Sequence, residues 1–375
     1  MFGTPHVLPD FPWDRLAPFG EIARFHSGGA IDLSIGTPVD SVPAVIQNAL
    51  IAAADSPGYP TTIGTPEFRS AAVRWFSRKL GVTCLDEQSV IPSIGSKEVV
   101  AWLAFLLGLS SRDVVAIPAI AYPTYDVGAR LAGCTVVTAD GVVELEDARV
   151  RAESSGRRLS LVWLNSPANP TGRVAPVEEL QAIVNWARQH HILVVADECY
   201  IELGWDVEPV SILHPDVIGE TADGVLAVHS LSKRSNFAGY RAGVIAGDRS
   251  VVARLLEVRK HAGMMVSSPV QAAAAAAFDD DAHVAAQKSI YRERRIIITS
   301  ALKSAGFTIS HSEAGLYVWA TRNENCWETV RWFAERGVIV APGEFYGSAA
   351  ANYVRVALTA TDERISALPA RLLED

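Results

Sequence analysis

The sequence predicts an α/β protein with a mostly parallel sheet in a large domain and a smaller α+β domain. Apolar runs of strand length alternate with helical patterns between about residues 89 and 247. Most of these runs are continuous, as in strands that are buried on both faces. After residue 268 the pattern changes to a long helix and several short strands. A chain of 375 residues can hold two domains and a large core.

The first part of the chain contains six predicted strands and at least two predicted helices. The strands are 114–117, 135–137, 159–164, 192–196, 225–228 and 244–246. The helices are 99–107 and 177–190. The second helix has Glu178 and Glu179 in its first turn and Arg188 in its last, an order that suits the helix dipole.

The second part begins with a helix predicted over 270–278, for which Ser268 is the expected cap and Pro269 the first residue. A long helix over 291–303 follows, and then short strands over 316–320, 338–340 and 353–358. The first forty or so residues are rich in proline and glycine and are expected to wrap onto this part. The predicted domains are therefore 45–270 for the large one, and 1–44 with 271–375 for the small one and its N-terminal arm.

Composition and charge exclude several classes of protein. The net charge of −9 argues against non-specific nucleic-acid binding, which needs a basic surface. No apolar run is long enough to span a bilayer, and the N-terminus does not resemble a signal peptide. The four cysteines are scattered without a CxxC pair, so neither disulfides nor a metal site are expected. We expect a cytoplasmic protein with no nucleic-acid or membrane partner.

Polar side chains follow three of the predicted strands at the point where each strand ends. In an open parallel sheet, ligands bind beyond the carboxyl ends of the strands. These residues are therefore expected to meet at one site, whereas each alone could belong to an ordinary turn or loop. They are Asn169 after the first strand, Asp197 and Tyr200 after the second, and Ser230, Ser232 and Lys233 after the third.

Lys233 lies just past an apolar strand, between hydroxyl side chains. A lysine in this position can form a Schiff base with a carbonyl cofactor, and the nearby serines and Arg241 suit a cofactor phosphate. The alternative is an ordinary loop lysine. Gly95, Ser96 and Lys97 open an apolar helix, whose free N–H groups would also bind phosphate. The alternative for this turn is a plain helix cap.

Taken together, these motifs resemble the fold type I pyridoxal-phosphate-dependent aminotransferases over essentially the whole chain. The motifs in order are LSIGTP, GYPTTIGTPEFR, GSKE, AYPTY, NPTG, DECY, SLSK, GYRAG and VRVALT. The resemblance implies a seven-stranded, mostly parallel sheet and a pyridoxal 5'-phosphate cofactor. It also implies ping-pong transfer of an amino group between amino acids and 2-oxo acids, in a homodimer with shared active sites.

The resemblance also implies a role for each matching residue. Lys233 would form the Schiff base and then carry the proton, and Asp197 would pair with the pyridine nitrogen. Tyr200 and Asn169 would hydrogen-bond the ring hydroxyl, and Tyr122 would stack on the ring. The phosphate would be held by Gly95, Ser96, Lys97, Ser230, Ser232, Arg241 and Tyr59 of the partner subunit.

For the substrate, the resemblance implies that Arg355 holds the α-carboxylate, with Asn169 and with Gly36, where the backbone can come close. The alternative for Arg355 is an ion pair on a surface strand. Aspartate aminotransferases carry an arginine near the position of Gly263, so a simple aspartate specificity is weakened. Met264 and Met265 favour a larger, adaptable pocket. Candidates for the distal end of the substrate are Lys260, His261, Tyr346 and Arg24, each of which could equally be a solvated surface residue.

Within this family, stretches such as DLSIGTPVD, RKHAGMM and VRVALTATDERI resemble the N-succinyl-L,L-diaminopimelate aminotransferases. The implied reaction converts N-succinyl-2-amino-6-ketopimelate and glutamate into N-succinyl-diaminopimelate and 2-oxoglutarate, in the biosynthesis of lysine and diaminopimelate. An aminotransferase for aspartate, N-acetylornithine or an aromatic amino acid is the alternative. A carbon–sulfur lyase or decarboxylase on the same fold is another. A non-enzymatic regulator with an aminotransferase-like domain is disfavoured, because it would need a basic N-terminal extension, whereas this chain is acidic and begins with a short proline-rich arm.

Overall fold

The computed structural model describes residues 8–9 and 12–374. Its strands are β1 (Ile31–Asp32), β2 (Val90–Ser93), β3 (Asp113–Ile117), β4 (Thr135–Thr138), β5 (Arg158–Asn165), β6 (Leu193–Asp197), β7 (Val225–Ser230), β8 (Gly243–Gly247), β9 (Thr308–Ile309), β10 (Tyr317–Thr321), β11 (Val338–Ile339), β12 (Ala341–Pro342) and β13 (Val354–Ala357).

The α-helices are α1 (Ala17–Arg24), α2 (Ala44–Ala52), α3 (Pro66–Leu80), α4 (Ser96–Leu106), α5 (Thr124–Leu131), α6 (Val142–Ser154), α7 (Val177–Gln189), α8 (Pro215–Ile218), α9 (Leu231–Arg234), α10 (Arg249–Ala262), α11 (Ser268–Asp279), α12 (Ala282–Ser304), α13 (Cys326–Glu335) and α14 (Asp362–Leu372). Short 3-10 helices cover Pro12–Leu16, Ala238–Tyr240, Gly343–Tyr346 and Ser348–Ala350. No helix in the described part of the chain is long and apolar enough to cross a membrane.

The central sheet has seven strands in the order β2-β8-β7-β6-β5-β3-β4. The five strands from β7 to β4 run parallel, and β8 is antiparallel to both of its neighbours. The expectation of a seven-stranded, mostly parallel sheet is therefore confirmed. All six strands predicted in this region are present, with ends that differ by one or two residues. The seventh, β2, carries Pro92, which an edge strand tolerates because one side of it makes no ladder hydrogen bonds.

Both faces of this sheet are covered by helices, which explains the continuous apolar strands. On one face, α3 and α11 contribute a cluster that includes Trp75, Phe76 and Phe278. On the other face, α4, α5 and α10 contribute a cluster that includes Leu103 and Tyr125. The predicted division of the chain at 270/271 stays a prediction. It falls inside α11, which packs as one unit against α2 and α3.

A separate cluster lies around the four-stranded antiparallel sheet β12-β13-β10-β9 and helices α12, α13 and α14. Strand β1 pairs in parallel with β11. This pairing ties the segment after α1 to the same region and places the residues that follow β1 near the carboxyl edge of the central sheet.

Three helix starts differ from the prediction. Helix α4 begins at Ser96 rather than at residue 99. Helix α11 begins at Ser268, so the capping position belongs to Ser267, whose side chain makes no cap hydrogen bond. Helix α12 begins at Ala282 rather than at residue 291. Its buried face includes Gln287 and Arg294, so the early part of the helix lacks the apolar periodicity from which a helix is predicted.

Gly128 provides a test of how tightly α4 and α5 pack. A Cβ atom at this position would lie 2.3 Å from the Val100 carbonyl oxygen, which is backbone and cannot move aside easily. We expect Gly128→Ala to lower the free energy of unfolding of the apo-protein by about 1–3 kcal/mol, as in other overpacked cores. Urea denaturation measures it. Gly239→Ala is the control, because a Cβ there meets nothing within 4 Å. Equal stability of the two variants would contradict the close packing.

Candidate active site

A cavity of about 930 Å³ opens at the carboxyl edge of the parallel strands. The polar residues at the strand ends meet in this cavity. Ligands of open α/β sheets bind at this edge, beyond the carboxyl ends of the strands. Most of the predicted site residues line it. They are Gly36, Ser96, Lys97, Tyr122, Asn169, Asp197, Tyr200, Ser230, Ser232, Lys233, Arg241 and Arg355.

Two of the predicted cofactor-binding residues do not line this cavity. Gly95 lies immediately behind it as the N-cap of α4, and a Cβ there would meet the Arg241 guanidinium at 2.4 Å. Its φ of 73° also favours glycine. Tyr59 is 96% exposed and projects from the surface.

Lys233 is carried by α9, a single helical turn that follows β7 directly. Ser230 caps this turn, and its Oγ accepts a hydrogen bond from the Ser232 backbone N–H at 3.1 Å. The Lys233 Nζ donates to the Gly36 carbonyl oxygen. Burial lowers the pKa of Lys233 below its usual 10.5, and the positive charges of Arg355 and Arg241 act in the same direction. The lysine is therefore more readily neutral, and more nucleophilic, than a lysine in water.

Asp197 is the last residue of β6, and its carboxylate is buried. The Tyr125 hydroxyl donates to its Oδ2 at 3.0 Å, and the Cys199 backbone N–H donates to its Oδ1 at 3.1 Å. Burial nevertheless raises the pKa of Asp197 above its usual 3.8. The carboxylate lines the cavity, so a cationic group bound there would restore its ionised form.

Tyr125 and Asn165 support Asp197, although the sequence interpretation gave neither a role. The Tyr125 ring stacks on Trp163 with centroids 5.1 Å apart, which fixes the direction of its hydroxyl. Asn165 ends β5, beside Asp197 in the sheet, and its Nδ2 donates to the Asp197 carbonyl oxygen at 2.8 Å. The position of Asn165 at a strand end was the available signal.

The N-terminus of α4 faces the cavity without a side-chain cap. Arg241, with a φ of 61°, lies against this turn and donates from Nη2 to the Ile94 carbonyl oxygen at 3.2 Å. The one acid of the first turn, Glu98, forms a buried ion pair with Arg259. Because this acid is neutralised, the free N–H groups and Arg241 leave a positive potential suited to an anion such as phosphate.

Arg355 is buried in β13 rather than ion-paired at the surface, so the alternative interpretation of this residue is wrong. Its Nη1 donates to Asn169 Oδ1 at 2.9 Å, and its Nη2 donates to the Ser34 carbonyl oxygen at 2.6 Å. Among the described residues, no carboxylate lies within ion-pair distance of it, and its Nε has no hydrogen-bond partner. A buried guanidinium without an anion is suited to bind a carboxylate from a ligand.

Tyr317 is a further site residue that the sequence interpretation missed. The Arg355 guanidinium lies 3.9 Å from the centre of the Tyr317 ring, and the hydroxyls of Tyr317 and Tyr200 are 3.2 Å apart. A Cβ on Gly36 would lie only 2.1 Å from the Tyr317 hydroxyl oxygen. The close approach of this backbone segment to the cavity therefore requires glycine.

The candidates for the distal end of the substrate are not brought together in this chain. Lys260, His261 and Arg24 are exposed, and Lys260 is paired with Glu257. Tyr346 is buried 5.1 Å from the Arg355 guanidinium, outside the cavity lining. The cavity lining also includes a set of apolar residues, namely Leu8, Pro9, Pro12, Trp13, Ile35 and Val127.

Comparison with known proteins agrees with this geometry. The family model "Aminotransferase class I and II" matches residues 29–372. The chain belongs to the class I and II aminotransferases. Enzymes of this family depend on pyridoxal 5'-phosphate, so the protein is a pyridoxal-phosphate-dependent aminotransferase that uses amino acids and 2-oxo acids as substrates.

Individual relatives differ in what their names say about substrate. A probable aminotransferase of Mycobacterium tuberculosis is 54% identical over 370 residues, which are 99% of this chain and 86% of that protein. The 4-dedimethylamino-4-oxo-anhydrotetracycline transaminase OxyQ of Streptomyces rimosus is 53% identical, over 97% of this chain and 99% of that protein. The solved structure of a probable N-succinyldiaminopimelate aminotransferase from Thermus thermophilus has a TM-score of 0.84 and 28% identity, with coverage of 96% of this chain and 99% of that one.

The lowered pKa of Lys233 can be tested without any substrate of the aminotransferase. We expect the apo-protein to be reductively methylated at Lys233 by formaldehyde and borohydride with a pH midpoint below the usual 10.5, because only the neutral amine reacts. Mass spectrometry of the Lys233 peptide between pH 7 and pH 11 gives the profile.

A free lysine derivative in the same tube gives the pH midpoint of an amine in water. The cofactor-loaded protein shows whether methylation at this position requires a free Lys233 amine. A midpoint at or above that of the free lysine would show that the cavity does not disfavour the charged amine.

Proposed function

We propose that this aminotransferase exchanges the amino group of L-glutamate with N-succinyl-2-amino-6-ketopimelate, and so produces N-succinyl-L,L-diaminopimelate and 2-oxoglutarate. The observation that carries an amino-acid substrate is Arg355, a buried guanidinium with no carboxylate partner in the described chain. The specific substrate is supported by the resemblance of the sequence to N-succinyl-diaminopimelate aminotransferases and by the name of the Thermus relative.

The residues around the cavity fit pyridoxal 5'-phosphate. Asp197 would face the pyridine nitrogen. Burial raises the pKa of this carboxyl group, and a protonated pyridine nitrogen would supply the positive charge that favours its ionised form. Tyr200 and Asn169 would bind the ring hydroxyl, and Tyr122 would cover the ring. The phosphate would be held by Gly95, Ser96, Lys97, Ser230, Ser232 and Arg241, with Tyr59 of the partner subunit. When bound, the cofactor supplies an electron sink for the bonds at the substrate α-carbon.

Lys233 would move the proton during the reaction. Its Nζ would accept the proton from the α-carbon of the amino donor and, in the second half of the reaction, donate a proton to the α-carbon of the new amino acid, which requires a neutral amine near neutral pH. Burial and the neighbouring positive charges of Arg355 and Arg241 lower the pKa of Lys233 and so favour this form. Asn169 orients Arg355 through their 2.9 Å hydrogen bond, so one residue serves both the ring and the carboxylate.

The chemistry of the cavity is compatible with a long substrate. Its volume of about 930 Å³ has to hold the cofactor as well as the substrate. Its apolar lining residues, such as Trp13 and Val127, can pack along the methylene chain of a succinylated pimelate. Near the position where aspartate aminotransferases carry an arginine, this chain has Gly263, which weakens a simple aspartate specificity.

A second candidate substrate is a polycyclic ketone related to 4-dedimethylamino-4-oxo-anhydrotetracycline, the compound in the full name of OxyQ. The observation in its favour is the 53% identity to that transaminase over nearly the full length of both chains. The apolar lining residues of the cavity are also compatible with a large ring system. The two candidates differ in charge, since the succinylated substrate brings two carboxylates beyond the one that Arg355 binds.

We also propose that the active enzyme is a cytoplasmic homodimer. Several large apolar side chains are exposed on this chain, including Ile51 at 69%, Tyr59 at 96% and Phe105 at 52%. Burial of these side chains between two copies would remove them from water. It would also allow Tyr59 of the partner subunit to reach the phosphate.

The proposed specificity is tested by a single-turnover absorbance scan of the cofactor-loaded enzyme. We expect rapid loss of the visible cofactor band with N-succinyl-L,L-diaminopimelate and with L-glutamate, and slow loss with L-aspartate and N-acetylornithine. A fast response to L-aspartate or N-acetylornithine alone would overturn the substrate but keep the reaction. A 4-amino-anhydrotetracycline that reacts faster than the succinylated amine would favour the second candidate.

The role of Arg355 is tested by Arg355→Lys, which keeps the charge but loses the planar fork that binds a carboxylate at two points. We expect the glutamate concentration that gives half the maximal rate to rise about 100-fold, a loss of about 2.7 kcal/mol. Stopped-flow absorbance measures it, and the cofactor affinity of the variant should stay within about twofold. An unchanged half-saturating concentration would contradict carboxylate binding by Arg355.

A further inference from the structure

The segment of residues 34–41, here called the strap, touches both of the side chains on which the reaction depends. The Ser34 carbonyl oxygen accepts a hydrogen bond from Arg355 Nη2 at 2.6 Å, and the Gly36 carbonyl oxygen accepts from Lys233 Nζ. The strap has no helical or strand hydrogen bonds of its own. Its position must therefore be set by contacts with other parts of the chain.

Asp40 fixes the far end of the strap. Its two carboxylate oxygens accept hydrogen bonds from the buried Arg294 guanidinium at 2.6 and 2.8 Å. Its Oδ2 also accepts from Gln287 Nε2 at 2.8 Å. Arg294 has a second acidic partner, Asp362, whose side chain is 77% exposed and does not touch the strap.

The same contacts continue to Asn236, just beyond the turn α9 that carries the catalytic lysine. Asn236 lies three residues after Lys233 and is buried. Its Nδ2 donates to Gln287 Oε1 at 2.8 Å and to the Ser41 carbonyl oxygen at 3.2 Å. Its Oδ1 accepts from the Tyr291 hydroxyl at 3.4 Å. Gln287 of α12 thus joins the strap to Asn236, two residues beyond the end of the lysine turn α9.

The hydrogen bonds from Asp40 through Gln287 to Asn236 are here called the relay. The carboxylate of Asp40 fixes which group donates and which accepts at each step of the relay. Burial alone raises the pKa of Asp40, but the hydrogen bonds from Arg294 and Gln287 outweigh it and hold the pKa below the usual 3.8. An ionised carboxylate can only accept hydrogen bonds, so Gln287 must turn its Nε2 toward Asp40 and its Oε1 toward Asn236. Asn236 must then present its Nδ2 to Gln287. One charge orders both buried amides.

We propose that Asp40 and Gln287 are positioning residues that hold the strap in register with the lysine turn, so that the Gly36 and Ser34 carbonyls meet Lys233 and Arg355. The inference rests on the roles proposed above for Lys233 and Arg355, and it is independent of which amino acid is the natural substrate. Neither Asp40 nor Gln287 lines the cavity. Their effect on the reaction is therefore transmitted through the strap backbone.

Asp40→Asn is the informative variant, and Asp362→Asn is its matched control. Both variants remove one carboxylate charge next to Arg294. Only Asp40 belongs to the strap and accepts a hydrogen bond from Gln287. Thermolysin cleavage before Ile35 or Val39, mapped by mass spectrometry on the holoenzyme, reports local opening of the strap. We expect cleavage to be about tenfold faster in Asp40→Asn and within about twofold of the unmodified enzyme in Asp362→Asn.

The second readout is the single-turnover reaction with L-glutamate. Because the Ser34 carbonyl orients Arg355, we expect Asp40→Asn to raise the half-saturating glutamate concentration about tenfold, with the limiting rate changed by less than about threefold. Gln287→Leu, which breaks the relay but keeps the Asp40–Arg294 pair, should act in the same direction. It replaces Asp40→Asn if that variant does not fold.

Equal effects of Asp40→Asn and Asp362→Asn on cleavage and on glutamate saturation would overturn the proposal, because the ion pairs of Arg294 would then be merely stabilising. Unchanged strap cleavage in Gln287→Leu would also overturn it. If the unmodified enzyme does not react with L-glutamate, the proposed amino donor fails. The cleavage comparison still decides whether the relay holds the strap.

Discussion

The site depends on the register of three adjacent parallel strands. Asn165 at the end of β5 lies opposite Asp197 at the end of β6, and Asp197 lies opposite Val228, two residues before Ser230. Because parallel strands end at the same edge, this register alone brings the amide, the carboxylate and the lysine turn to one cavity. The helices on both faces keep the strands buried and the register fixed, since a slip of one residue would turn every side chain to the opposite face.

The electrostatics of the site follow from which charges have partners. Glu98 is neutralised by Arg259, and Asp40 by Arg294, so neither acid opposes an anionic ligand. Arg355, in contrast, has no anion among the residues that the structure describes. A protein with a net charge of −9 thus keeps a buried cation open toward the cavity at the carboxyl edge of its sheet. Such an arrangement costs stability unless a ligand supplies the missing anion.

Much of this could be predicted from the sequence, because strand ends and motif order are local. Six strands, the lysine turn and strand-end residues such as Asp197 follow from apolar runs and from the polar residues after them, whereas the role of Arg355 follows only from the resemblance to a known family. Strand β2 was missed because it is short and contains Pro92. The supporting residues Tyr125 and Tyr317, and the early turns of α12, depend on contacts between distant segments. No periodicity in the sequence reports such contacts.

The strap shows why polar residues on a helix can matter as much as its apolar face. Gln287 and Arg294 occupy the buried side of α12, where apolar residues are usual. A buried amide and guanidinium are costly unless every donor and acceptor is matched, and here Asp40 and Asn236 supply the partners. An apolar interface would bind the strap without fixing its position along the chain. Directional hydrogen bonds fix that position, and with it the carbonyls that meet Lys233 and Arg355.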